Sequence, residues 1–390
     1  IFLGYGLTLS LILFSLVGLK RDKSLKDLIK LYIFESKRSL PIIHILLLIS
    51  VLISTWLCCG TIPSIVYYSL KYINPNLFIL FCFLISAITS FLIGTSFGTV
   101  SSIGIPLVII AQASNLNLNI VGGAIMSGAY FGDRCSPLSS SLLLLCNLTK
   151  VELFNYVKKV FIFGIIPTII SILFYLFFSL KNPLTFVDNS LSLALFDNFH
   201  INVFLLIPAI IIVILSLKKV PITKSITFSI VAAILISLIV QKTNFYGLFK
   251  YMIFGYETSS SLSSIIKGGG IISMLKTCYI IIISCCLTGF FSGLNIFYNF
   301  KKSLEKITLN RSNLFIITLV LGLIVAAIGC SQTIAFILTL EILRDTYKNY
   351  ENEDIAMEFS NSAIVTSALI PWCIAALVPT SVLSISNYQF

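Results

Sequence analysis

Charge is what this chain has least of. Asp, Glu, Lys and Arg together make up 11% of its 390 residues, where a soluble domain carries about 25%. That shortage excludes a soluble globule, whose surface would need more polar cover. The motifs of soluble nucleotide and metal chemistry are missing too. There is no Walker A loop, no G-x-G-x-x-G in a strand–helix setting and no H-E-x-x-H, so no ATP-driven pump is encoded here. Histidine is reduced to two residues, and the ten cysteines form neither a C-x-x-C nor a Cys/His cluster, which argues against a metal centre. The neighbours Cys58–Cys59 and Cys285–Cys286 are poorly placed for structural bridges and read as small hydrophobes. Strand-type alternation at barrel spacing is also lacking.

What is present is hydrocarbon. Apolar residues make up 57% of the chain and mean hydropathy is +1.03. Runs long enough to cross a bilayer recur from end to end. The fold class is therefore all-α: a polytopic helical membrane protein with about 11 spanning or half-spanning elements. Residues 1–19 read as the first span rather than a signal peptide, because no small-residue cleavage site precedes the basic segment. The net charge of +11 lies mainly between the runs. It clusters at Lys20 to Arg38, at Lys150, Lys158 and Lys159, at Lys218, Lys219 and Lys224, and at Lys301, Lys302, Lys306 and Arg311. These clusters alternate with basic-poor connections such as 181–199, which places them on the cytoplasmic side of a cell membrane. Lipid headgroups, not nucleic acid, are the partners this charge implies. Residues 344–358 read as an acidic loop, which carries no orientation signal. Composition neither requires nor excludes a homodimer.

The polar exceptions are concentrated between Gly94 and Ser141. GTSFGT at 94–99 breaks the apolar run 74–115, making it two short spans or a re-entrant hairpin, and Pro137 interrupts the Gly-rich run 119–147. The second half repeats the pattern loosely, with GCSQT at 329–333 inside 313–343 and a break at Pro371 inside 360–388. Paired interrupted segments point to a transporter site between internal repeats. Asp133 stands out as an acid at membrane depth, where a carboxylate is a functional candidate by default. A group that takes either a proton or a cation is the minimum apparatus for cation/proton exchange. Thr95, Ser96, Thr99, Ser136 and Ser139 offer neutral oxygens near it, and Gln332, Thr333, Asn361 and Thr366 do so in the second half; such oxygens suit a hard cation such as Na⁺. Against this, a hydroxyl in an apolar helix commonly bonds back to its own backbone. Gly123, Ser127, Gly128 and Gly132 have the small-residue spacing of close helix packing. No cofactor is expected.

Four stretches carry a family resemblance: GTIP at 60–63, GTSFGT at 94–99, SGAYFGDRCSPLS at 127–139 and TSALIPW at 366–372. They resemble the NhaC family of Na⁺/H⁺ antiporters over roughly residues 40–385. The resemblance implies two inverted repeats with discontinuous or re-entrant helices, here 1–159 and 263–390 joined by 160–262. It also implies a membrane-embedded site and exchange of Na⁺ for H⁺, with Asp133 holding the transported Na⁺. In some relatives small organic acids or amino acids move too. The chain departs from the family pattern at Ser140, at Ser360 and Asn361, and at Cys373; the first three replace acids. Two alternatives stay open: a Na⁺-coupled transporter of a small carboxylate or amino acid, and a membrane homologue that does not transport.

Overall fold

The structure is a computed structural model that describes residues 3–20, 24–72, 74–184, 198–218, 220–257, 267–293 and 310–386. Arg21, Lys23, Lys219, Lys301, Lys302 and Lys306, and most of the connection 181–199, lie outside them.

The described residues are predominantly helical. The helices are α1 (Leu3–Lys20), α2 (Leu25–Ser36), α3 (Leu40–Cys59), α4 (Thr61–Tyr72) and α5 (Phe78–Ile93). The run α6 covers Ser96–Ala113 and contains a π turn at Val100–Gly104. Then come α7 (Leu118–Cys135), α8 (Ser140–Thr149), α9 (Leu153–Lys181), α10 (Ile207–Leu217), α11 (Ile222–Ile239) and α12 (Phe245–Phe254). The last are α13 (Ile271–Gly293), α14 (Arg311–Gly329), α15 (Gln332–Leu343), α16 (Asn352–Phe359) and α17 (Ile374–Leu383). Helix is what a lipid-embedded backbone demands, because it satisfies its own N–H and C=O groups.

Six of these helical runs are long and apolar enough to cross a membrane. A seventh candidate is the pair Asn352–Leu369 and Ile374–Leu383, bent by 47° at its break, and four shorter apolar helices join them. Among the described residues these candidates fit a polytopic helical membrane protein. The helix carrying Asp133, α7, is not among the six, because glycines and the adjacent Asp133 and Arg134 dilute its hydropathy. Several hydroxyls inside these helices bond back to their own backbone: Thr55 donates to the Val51 carbonyl at 2.9 Å and Ser237 to Ala233 at 2.8 Å.

The break within GTSFGT falls at Gly94 and Thr95, and it divides the run into two helices of spanning length. One expectation needs correction: the acidic loop does not reach 358, because α16 begins at Asn352 and its π turn carries the helix to Ile364. Acidic side chains do not by themselves break a helical backbone.

By packing, the chain forms two compact units, each built from separated segments. One holds residues 45–143, 153–275 and 379–390; the other holds 1–44, 144–152 and 276–378. In the first, α5 and α7 make the most extensive helix pair. Gly128 and Gly132 allow it: a Cβ on Gly128 would strike the Phe83 carbonyl oxygen, and one on Gly132 would lie 2.5 Å from the Ala87 oxygen. The Ser90 hydroxyl donates across the pair to the Ala129 carbonyl. Helix α9 closes over them through Tyr175, whose ring stacks on Phe83 with centroids 5.2 Å apart and whose hydroxyl meets Ser127 at 2.7 Å. Its outer side shows Ile162, Ile166, Ile169 and Leu173, an apolar face suited to lipid. The Trp56 indole, fully buried, donates to Ser229 at 2.9 Å, and Ser229 to the Pro208 carbonyl at 2.7 Å, tying α3, α11 and α10 together.

Candidate functional site

Helix α5 ends at Gly94, which sits at φ 74° and closes on the Ser90 carbonyl at 2.7 Å. Only glycine fits: a Cβ here would lie 2.5 Å from Leu138 Cβ and 2.7 Å from the Leu138 carbonyl carbon. Thr95 is extended, at φ −153° and ψ 128°. On the other chain segment α7 ends at Cys135, Ser136 is extended at φ −83° and ψ 131°, and Pro137 keeps the helix from continuing. The contact of Gly94 with Leu138 brings these two breaks together.

Asp133 lies in that seam. Its Oδ2 accepts the Ser96 hydroxyl at 3.1 Å and, at 3.4 Å, the Ser96 backbone N–H at the start of α6. The Ser139 hydroxyl, which meets the Ser141 hydroxyl at 2.8 Å and accepts the Leu142 N–H at 3.3 Å, lies beside the same carboxylate. Serines of both breaks thus flank Asp133, Ser96 bonded to it directly. A carboxylate with hydroxyls beside it is an all-oxygen group of the kind a hard cation takes.

Other hydroxyls near the first break bond to backbone. Thr99 donates to the Thr95 carbonyl at 3.0 Å; Ser101 and Ser102, in the π turn, donate to Phe97 at 2.8 Å and Gly98 at 2.7 Å. Ser136 is buried and accepts the Leu138 N–H at 3.2 Å. Thr95 contributes the extended residue of the break.

In the other compact unit the second-half breaks have the same local geometry. Cys330, at φ 51° and ψ 14°, and Ser331, at φ −142° and ψ 129°, reproduce the conformations of Gly94 and Thr95, with Gln332 in the place of Ser96. Ile370, at φ −92° and ψ 115° before Pro371, reproduces Ser136 before Pro137. These breaks also pack together. The Ile374 N–H donates to the Cys330 carbonyl at 2.8 Å, the Trp372 indole to Ala327 at 2.7 Å, and the Gln332 amide to Ile364 at 3.2 Å. Thr366 bonds back to the Ser362 carbonyl at 2.7 Å. Asn361 is half-buried in the π turn, whereas Thr333 is exposed. No acid stands at these two breaks.

One buried acid of this unit was not legible beforehand. Glu358 is 7% exposed; its Oε2 accepts the Tyr347 hydroxyl at 2.6 Å and its Oε1 the Arg311 Nε at 3.2 Å. Tyr347 also meets Thr318 at 2.7 Å, and Arg311 reaches Asp354 at 2.8 Å. The network puts the acidic stretch on the same face as Arg311. Burial first, then the Glu358 contact, pushes the Tyr347 hydroxyl well above its usual range, so it stays protonated and donating. Tyr347→Phe is expected to cost about 1–3 kcal/mol; an unchanged thermal unfolding temperature of the purified variant would show that this hydroxyl carries no stability.

Residues 2–180 and 128–389 match the sequence model of the Na⁺/H⁺ antiporter family. The chain is similar to the malate-2H⁺/Na⁺-lactate antiporter of Bacillus subtilis (strain 168), at 27% identity over 96% of this chain and 82% of the relative. It is similar to the Na⁺/H⁺ antiporter NhaC of Alkalihalophilus pseudofirmus, at 24% identity over 89% of this chain and 77% of the relative. The arginine/ornithine antiporter ArcD of Halobacterium salinarum is 25% identical over 89% of this chain and 75% of its own length. With both matches together spanning residues 2–389, this multi-pass membrane chain belongs to the Na⁺/H⁺ antiporter family.

Proposed function

We propose that the protein exchanges Na⁺ for H⁺ across the cell membrane by alternating access, with Asp133 as the group that takes each ion in turn. The observation that carries this is the seating of the Asp133 carboxylate between two broken helices, on the hydroxyl and backbone N–H of Ser96 with Ser139 beside it. A carboxylate cannot hold a proton and a sodium ion on the same lone pairs. Arrival of one therefore expels the other, and that competition couples the two fluxes. A serine hydroxyl suits both states: that of Ser96 donates to the carboxylate in the absence of metal and can turn a lone pair towards an arriving cation. The cycle needs no cofactor, since its only mobile charges are the transported ions.

The matched backbone conformations at 94–96 and 330–332 support a division into two repeats, 1–159 and 263–390, with 160–262 between them. The neutral residues Ser140, Ser360 and Asn361 leave fewer groups to carry protons in each turnover. That favours one second reading, a Na⁺-coupled carrier of a small carboxylate or amino acid. Two relatives have names that pair antiport with such substrates.

The test is flux in vesicles. Purified protein is reconstituted, a pH gradient is imposed, and Na⁺, Li⁺ or K⁺ is added. Cation-dependent collapse of the gradient is expected; its absence from folded protein rejects exchange, and Na⁺-driven uptake of labelled lactate, malate or arginine then supports the second reading. Ser96→Ala is expected to raise the half-saturating Na⁺ concentration about tenfold, the worth of one hydrogen bond to a charged group. An unaltered Na⁺ dependence would remove Ser96 from the site.

A further inference from the structure

We propose that a cavity at the end of α15, in the unit that holds the second-half breaks, is a binding site for a phosphate- or carboxylate-bearing ligand. The cavity, open on one side to the surface, measures about 470 Å³, within the range of small-molecule sites. Ile337, Leu340 and Glu341 of α15 and its C-cap Arg344 line it at i, i+3, i+4 and i+7. Lys150, just past the end of α8, lines it too, and Lys150, Glu341 and Arg344 are exposed.

The charges around this cavity are unbalanced. Other cations nearby are spoken for: Arg311 holds Asp354 and Glu358, and Lys348 holds Asp345 at 3.0 Å. Lys150 and Arg344 have no acidic partner among the described residues, although Glu341 is only three residues from Arg344 on the same helix. Two unpaired cations thus face a cavity that holds a single carboxylate.

Lys150 is also held in place. It sits at φ 57°, with the Val151 N–H closing on the Cys146 carbonyl at 3.0 Å, a left-handed helix end that fixes where its side chain departs. On the remaining wall Tyr347 is fixed by Glu358 and Thr318. An oxyanion between Lys150 and Arg344 would satisfy both, Arg344 offering the paired N–H groups that match a carboxylate or phosphate edge. Ile337, Leu340 and Leu148 provide apolar wall for the rest of the ligand. That chemistry fits the headgroup of an anionic phospholipid or a free small anion. None of the lining residues belongs to the Asp133 group.

The test uses the full chain in neutral detergent, titrated separately with inorganic phosphate, dihexanoyl phosphatidylglycerol and dihexanoyl phosphatidylcholine while thermal unfolding is followed. A saturable rise in unfolding temperature is expected with at least one anion. A rise with phosphate identifies a free-anion site, and one with phosphatidylglycerol alone a lipid-headgroup site. Lys150→Gln combined with Arg344→Gln should weaken the apparent affinity about tenfold or more, and Lys348→Gln, outside the cavity, should not. If the double variant does not fold, Arg344→Gln alone serves the same comparison. No saturable response to either anion, an equal response in the cavity variants, or an equal response to phosphatidylcholine would overturn the proposal.

Discussion

Replacing Asp133 by Asn is expected to reduce Na⁺-dependent proton flux at least about a hundredfold, a change in transition free energy of roughly 2.7 kcal/mol, while leaving the protein folded. Folding should survive because an amide oxygen still accepts the Ser96 N–H and hydroxyl that now reach Oδ2 at 3.4 and 3.1 Å. What the substitution removes is the charge. An amide neither releases a proton in the working range nor neutralises Na⁺, so the competition that couples the fluxes vanishes. Asp133→Glu keeps the charge and moves it by one methylene, and should retain exchange with an altered Na⁺ dependence. The measurement is gradient collapse in vesicles beside size-exclusion and thermal unfolding of the same preparations. Wild-type flux from folded Asp133→Asn would end the role given to this carboxylate.

Gly132→Leu is expected to abolish recovery of folded protein. A Cβ at this position lies 2.5 Å from the Ala87 oxygen, the Phe91 nitrogen and the Ser90 Cβ. Two of those atoms are backbone of α5, so no rotamer change relieves the contact; α7 must move away. Such a shift would pull Asp133 out of the seam with Ser96, because it is the next residue on the same helix. Gly132→Ala should lie between, at about 1–3 kcal/mol of overpacking. Gly247→Ala is the control, since nothing lies within 4 Å of its added carbon. The readout is the monodisperse fraction after detergent extraction and its unfolding temperature. Equal yields for Gly132→Leu and wild type would show that α5 and α7 tolerate a wider separation than this packing allows.

Most of the helices were legible because bilayer physics leaves few choices. An uncharged apolar run of about 20 residues has to form a helix. The breaks were legible where their cause is local: Gly94 supplies a positive φ and Pro137 withholds an N–H. Cys330 shows the limit, since its left-handed backbone at φ 51° belongs to a residue that does not advertise it. Hydroxyls are equally silent about their partners: Ser101 and Ser102 bond to the carbonyls of Phe97 and Gly98. The burial of Glu358 leaves no mark in a sequence whose neighbouring residues are acidic too.

The linear chain alone determined that this is a helical membrane protein, that its helices break in two pairs, and that Asp133 is an acid out of place. Those follow from hydrocarbon content, backbone chemistry and the cost of charge away from water, all of which act within a few residues. Only the tertiary structure decided that Ser96 bonds that acid with Ser139 beside it, and that Glu358 is enclosed by Tyr347 and Arg311. Such pairings depend on how closely helices cross, which is set where glycine lets one backbone rest on another, as Gly132 does on α5. A contact across 37 residues of chain leaves no periodic trace in the residues that make it.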